Sequence, residues 1–264
     1  YNIEKKLFYD LCQYIIIKTN SIQKNATIIN RLDLFTSFAA LAINNNYIKP
    51  EISNKLILDI KQGRHPVVEN LLPITEKFIA NDIQMDANRS QIHLLTGPNM
   101  AGKSTYLRQL GIIVIMAQIG SFVPAKSAKI GIVDKLFTRV GASDNLAGGE
   151  STFMVEMNEA ASILNNATGK SLILLDEIGR GTSTYDGLSL AWAITEYIHN
   201  NKNLKSRTVF ATHYHELTDL EYVLKRLKNY HVEVQEFDDT IVFMRKITEG
   251  ICDKSYGIHV AKMA

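Results

Sequence analysis

The chain has 264 residues, 46% of them hydrophobic and 21% charged, and its 29 basic and 27 acidic side chains leave a net charge of +2. At roughly 150 residues per domain this length holds one or two domains, each with a real core. Average composition excludes a disordered, collagen-like or low-complexity chain, and the near-neutral charge by itself argues for neither a nucleic-acid nor a membrane surface. Cys12 and Cys252 are the only cysteines, and they form no CxxC or Cys/His cluster. A disulfide scaffold and a thiolate zinc site are therefore excluded, and a reducing cytosol is expected. The longest apolar run, Leu110 to Ala117, falls far short of the roughly 20 residues of a membrane span, so a soluble protein is expected. The chain opens on Tyr1 with no charged-then-apolar leader, which predicts a piece of a longer protein without a secretory signal.

In chain order, Leu7, Leu11, Tyr14 and Ile15 recur with helical spacing, as do Ile28, Leu32, Phe35, Ala39 and Ala42. Two amphipathic helices are predicted, either covering a sheet or forming the stump of a longer helical arm. Asn44 to Asn46 and Pro50 break the pattern and place a domain boundary nearby. From about residue 56, short apolar runs alternate with helical segments, the texture of a mostly parallel sheet wrapped by helices. Ile92 to Thr96, Leu172 to Leu175 and Thr208 to Ala211 read as buried strands.

The first of these strands runs into Gly97-Pro98-Asn99-Met100-Ala101-Gly102-Lys103-Ser104 and then into an apolar helix from Thr105 to Ile119. That is GxxxxGK[ST] in a strand-loop-helix context, a P-loop. Glycines let backbone N–H groups converge on phosphate oxygens, and the helix turns its positive end to the same charge. Lys103 is expected to reach the β and γ phosphates and Ser104 to ligate Mg²⁺. The second strand delivers Asp176 and Glu177 to its C-terminal end, the Walker B pattern. Adjacent strand side chains point to opposite faces, so two roles are predicted: Asp176 for Mg²⁺, Glu177 for the attacking water. The third strand ends at His213, placed to sense a γ-phosphate, and Gln118 at the close of the P-loop helix is a candidate link between nucleotide and the rest of the domain. Ala147-Gly148-Gly149-Glu150-Ser151 leads into a further capped helix. On the residues alone this is either a plain cap or a second anion site for a phosphate bound to another subunit.

These motifs, with Asp176 to Gly187, Ala211 to Leu217, Gly63-Arg64-His65-Pro66 and Phe78-Ile79-Ala80-Asn81, closely resemble the ATPase domain of the MutS family of DNA mismatch-repair proteins, over essentially the whole chain. The resemblance implies an α/β fold, an ABC-type P-loop NTPase with a mostly parallel sheet flanked by helices, preceded by a short helical segment. Residues 1–45 become the end of a lever or core domain and 46–264 the ATPase domain. It implies ATP and Mg²⁺ as cofactors, with Gly97, Pro98, Asn99, Met100, Ala101, Gly102, Lys103, Ser104 and Thr105 contacting nucleotide and Ser104 and Asp176 holding the metal. Glu177, Lys103 and His213 are then catalytic, Phe78 stacks on adenine, and Ser151 acts in trans on a neighbour's γ-phosphate. Arg245 could stack on adenine where relatives often carry a His, and Ala101 stands where many carry Gly. The partners implied are a second MutS subunit in a homodimer, mismatched double-stranded DNA through the full-length protein, and downstream repair factors, in a bacterial cytoplasm at the nucleoid with no membrane. A transporter ATPase would carry Leu-Ser-Gly-Gly-Gln in place of Ala147 to Ser151. The alternatives are a non-hydrolysing nucleotide-sensing dimerisation module and the ATPase of the recombination-controlling MutS relative, which usually lacks the Arg180 to Thr184 run. Glu177 favours hydrolysis, because a sensor has no use for a water-activating base.

Overall fold

The computed structural model describes residues 1–73, 75–140, 151–237 and 240–251, and the chain divides into two compact units, Tyr1–Asn46 and Tyr47–Ala264. The first unit is one helix, α1 (Asn2–Asn45), 44 residues long, where the sequence predicted two. The reason is local: no Gly or Pro lies within it to break the helix, and the hydroxyls of Thr19, Thr27 and Thr36 are taken up by the carbonyls of Ile15, Gln23 and Leu32 one turn back, at 3.3, 2.9 and 2.7 Å. At 1.5 Å per residue the helix is about 66 Å long, so the segment is not short. It ends at Asn46, whose left-handed backbone returns an N–H to the Ala42 carbonyl. By length and composition α1 is also apolar enough to cross a membrane, which a search for uninterrupted apolar runs misses because charges such as Arg31 and Asp33 divide the run.

The second unit runs β1 (Glu51–Ser53), β2 (Ile57–Gly63), α2 (Pro66–Leu71), β3 (Asn81–Asp86), β4 (Ile92–Thr96), α3 (Lys103–Gln118), β5 (Ser127–Gly131), β6 (Leu136–Arg139), α4 (Thr152–Asn166), β7 (Leu172–Asp176), α5 (Thr184–Asn200) and β8 (Arg207–Ala211). A 3-10 turn, His215–Asp219, leads into α6 (Leu220–Val223), β9 (Leu227–Phe237) and β10 (Thr240–Glu249). Six strands form a sheet in the order β10-β9-β4-β8-β7-β6, parallel throughout except for β10. Four more form a smaller sheet, β1-β5-β2-β3.

The period of two along each parallel strand explains the continuous apolar runs. Leu95, Leu172, Leu174, Val209 and Ala211 face one core, packed by Leu107, Leu110 and Ile113 of α3 and by Leu58 and Ile83 of the small sheet. Ile92, Leu94, Ile173, Leu175 and Phe210 face the other, packed by Ile163 of α4 and by Ala191, Ile194 and Ile198 of α5. Sandwiched this way, β4, β7 and β8 point their C-terminal ends in one direction, so the P-loop, the carboxylate pair and His213 emerge at one edge of the sheet.

Arg207, the first residue of β8, lies beyond the predicted strand and is fully buried. Its guanidinium donates to the carbonyls of Ile57, Gly131 and Ile132, each at 3.2 Å, and of Lys170 at 2.7 Å. It ties the small sheet to the start of β8. Burial pushes this guanidinium down to about 10, with the Asp134 charge opposing.

Candidate nucleotide site

β4 ends at Thr96 and the chain turns through Gly97 to Gly102 into α3. Gly102 takes a φ of 103° with open space around its Cα, so backbone conformation rather than room demands glycine there. Met100 also sits in the left-handed region, with φ 63°, whereas Ala101 does not, and is buried. Alanine at 101 is therefore accommodated without strain. Lys103, 4% exposed, donates to the carbonyls of Gly97 at 2.7 Å and Pro98 at 2.9 Å, and its ammonium lies 3.9 Å from Glu177. Burial lowers this lysine to about 8, partly offset by the charges of Glu177 and Asp176.

Asp176 closes β7 on the same face as Leu172 and Leu174, the face covered by α3. Burial raises its carboxyl, against a hydrogen bond from the Ser104 hydroxyl, and Glu177 raises it further. Its Oδ1 is buried without a hydrogen-bond partner. A hydroxyl beside a carboxylate with one unsatisfied buried oxygen is a fitting hard-oxygen donor set for Mg²⁺, an ion that takes one or two carboxylates and completes its shell with phosphate and water. Among the described residues no group of three or more His, Cys, Asp or Glu could hold a metal.

Glu177 leaves the extended strand conformation. Its φ is 57°, while its N–H still donates to the Ala211 carbonyl of β8 at 2.8 Å. The turn points its carboxylate at Lys103, at the His213 ring, which its Oε1 touches, and at Arg180, whose Nη1 lies 2.5 Å from Oε2. Burial raises this carboxyl, but the His213 contact, Arg180 and Lys103 outweigh it and hold Glu177 below the ordinary glutamate range. It is ionised at neutral pH.

Three clefts adjoin around the P-loop. One of about 160 Å³ is lined by Asn99, Lys103, Ser104, Thr105 and Glu177, and one of about 260 Å³ by Asn99, Glu177, Arg180, Thr212 and His213. The third, about 210 Å³, includes Phe78, Asn81, Tyr106, Gln109 and Arg245, and shares Met100, Gly102 and Thr105 with the first. Phe78 and Arg245 thus wall one cavity beside the P-loop, although 167 positions separate them in the sequence. Asn81 organises it: its amide donates to the Arg245 carbonyl at 3.0 Å and accepts from the Ile247 N–H at 2.8 Å, bracing a bulge in β10 where Arg245 takes a φ of 52°.

Ser151 is brought to none of these clefts. It is the exposed N-cap of α4, and its hydroxyl makes no capping hydrogen bond. Ala147 to Glu150 lie outside the described residues. Gln118 is placed away from the P-loop, at the far end of α3, where its amide exchanges two hydrogen bonds with the Val133 backbone at 2.6 and 3.0 Å. That makes it a brace between α3 and the 131–136 connection, in contrast to the nucleotide link anticipated for it. His65 of the Gly63 to Pro66 motif likewise serves structure, its Nδ1 accepting from Val67 and Val68 N–H groups as the cap of α2. Arg180 and Tyr214, which lie in the recognised motifs but were given no role, and Glu156, just past Ser151, join the Walker B surroundings.

A P-loop feeding a helix N-terminus, faced by acidic groups at the end of a parallel strand two places along the same sheet, defines a P-loop nucleoside triphosphatase of the ABC type. The family model for MutS domain V matches residues 93–264. The chain is 60% identical over 262 residues to the DNA mismatch repair protein MutS of Bacteroides thetaiotaomicron, covering 99% of this chain and 30% of that protein. It is 60% identical over 263 residues to DNA mismatch repair protein MutS of Clostridium botulinum, covering 100% and 28%, and 58% identical over 262 residues to that of Parabacteroides distasonis, covering 99% and 30%. The chain belongs to the MutS family, with domain V, the ATPase region, matched over residues 93–264, and it spans about 30% of the length of the curated relatives it matches.

Proposed function

We propose that this domain binds ATP with Mg²⁺ and hydrolyses it in a head-to-tail dimer, and that its nucleotide state governs recognition of mismatched DNA and downstream repair factors by the full-length protein. The observation that carries this reading is the convergence of Lys103, Ser104, Asp176, Glu177 and His213 from three separate strand ends on adjoining clefts. Lys103 and the 97–105 backbone hold the phosphates, Ser104 and Asp176 would hold Mg²⁺, which neutralises phosphate charge, and His213 sits beside Glu177 to sense the γ-phosphate. Phe78 stacks on adenine, with Arg245 across the cavity. Residues 1–45 serve as the end of a lever or core domain, and the protein acts in the cytoplasm at the nucleoid, the bacterial source of the relatives supporting the cytoplasmic part.

Ser151 serves the second subunit. Its uncapped hydroxyl and the α4 N-terminus are directed at a neighbour's γ-phosphate, so each composite site takes its P-loop from one copy and its Ser151 from the other. Ser151→Ala and Lys103→Ala in the full-length protein should each be inactive alone and recover hydrolysis when mixed, because a mixed dimer contains one intact site. Steady-state phosphate release from each variant and from the mixture tests this. A mixture no more active than the sum of its parts, with mixed dimers verified, removes the trans role.

The depressed Lys103 also predicts a pH dependence of ATP affinity. Free protein loses the lysine proton near pH 8, while bound phosphate favours the charged form, so above pH 8 binding takes up a proton. Affinity should therefore fall as pH rises past 8, by up to about tenfold per pH unit. Fluorescent-ATP titrations between pH 7 and 9.5 measure the slope, and Lys103→Ala should abolish it.

A further inference from the structure

Glu156 stands in the second turn of α4, the helix that begins at Ser151, and is buried. Its Oε1 accepts a hydrogen bond from the Gly179 N–H, two residues beyond Glu177, and its Oε2 lies 3.9 Å from Arg139. The Gly179 carbonyl is held from the other side by the Tyr214 hydroxyl at 3.0 Å, next in sequence to His213. The adjoining chain has no slack. A Cβ on Gly181 would meet the Cβ of Phe153, also in α4, at 2.8 Å, and a Cβ on Gly179 would meet the Gly187 backbone of α5 at 2.7 Å. The 178–181 loop is thus wedged between α4, α5 and Tyr214, and a buried carboxylate grips its amide.

We propose that Glu156 is a positioning residue for hydrolysis, fixing through Gly179 the backbone that aims Glu177. This rests on the role given to Glu177 above. A carboxylate accepting a buried N–H makes one of the stronger hydrogen bonds available, and removing it strands the Gly179 amide without an acceptor. Glu177 already holds an unfavourable positive φ, which persists only while its surroundings over-determine it. Helix α4 then serves two sites at once: its N-terminus reaches the neighbour's phosphate, and Glu156 sets its own subunit's base.

The test uses the full-length protein, with ATP binding and single-turnover hydrolysis measured separately for Glu156→Ala, Glu156→Gln, Glu177→Gln and Glu156→Ala/Glu177→Gln. Misaiming a catalytic group costs about 10- to 100-fold, so Glu156→Ala should lose that much in hydrolysis rate with ATP affinity within about twofold of the parent. Glu156→Gln keeps an acceptor oxygen for the Gly179 N–H and should recover most of the rate. In the double variant Glu156→Ala should cost nothing further, since the group it aims is already disabled. A multiplicative loss in the double variant, an unchanged rate in Glu156→Ala, or parallel losses of affinity and rate would each overturn the proposal. A Glu177→Gln single variant that hydrolyses normally would instead remove the role of Glu177 itself.

Discussion

Glu177→Gln should still bind ATP and should hydrolyse it about 10²- to 10⁴-fold more slowly, the usual cost of deleting a general base. The separation of binding from turnover follows from the geometry. Ser104 and Asp176 make the metal-fitting pair and Lys103 with the P-loop backbone makes the phosphate cradle, so none of the groups that hold ligand is changed. Glu177 is aimed into the space between Lys103, Arg180 and His213, and those partners keep it ionised at neutral pH, ready to orient water and accept its proton. Glutamine is nearly isosteric and retains an acceptor for Arg180 but takes up no proton. Direct ATP titration alongside single-turnover hydrolysis checks both halves. A fall in ATP affinity equal to the fall in rate, with the fold intact, would make Glu177 a ligand-holding group instead.

Lys103→Ala should weaken ATP binding by about 10- to 100-fold, the worth of one or two charge-assisted hydrogen bonds, and abolish measurable turnover. The larger effect on turnover arises because charge on the transferring phosphoryl group must be stabilised in a dry site, and Lys103 is 4% exposed. The same side chain bonds the Gly97 and Pro98 carbonyls, so thermal unfolding of the variant must be followed too. Unchanged hydrolysis in this variant would sink the P-loop assignment.

Much of the site was legible in the sequence because its parts are local. Ile92 to Thr96 had to be a strand since both faces are apolar, and Gly97 to Ser104 had to be the phosphate loop since the glycines, Lys103 and Ser104 stand at fixed spacing between that strand and a helix. The same logic located Asp176, Glu177 and His213 as strand-end residues. Strand order decided the rest. β8 lies beside both β4 and β7, which sets His213 against Glu177, and nothing in a one-dimensional reading states that pairing. Positive φ at Glu177, 57°, is likewise invisible in residue type, yet it resolves how two adjacent carboxylates serve one site.

Contacts between distant positions show the division most clearly. Asn81 braces Arg245 across 164 positions, Glu156 grips Gly179 across 23, and the buried Arg207 joins the two sheets through four backbone carbonyls. Each depends on where packed layers bring backbone amides and carbonyls within reach, and a polar residue's type says only that it needs a partner, not which one. The single helix α1 joins two stretches whose helical periodicity was plain in the sequence, and with no Gly or Pro between them nothing interrupts it. By itself the sequence determined the fold class, the phosphate loop, the acidic strand end and the family they belong to. Only the tertiary structure decided which side chains meet there, because register and layer packing, rather than local pattern, bring distant groups to hydrogen-bonding distance.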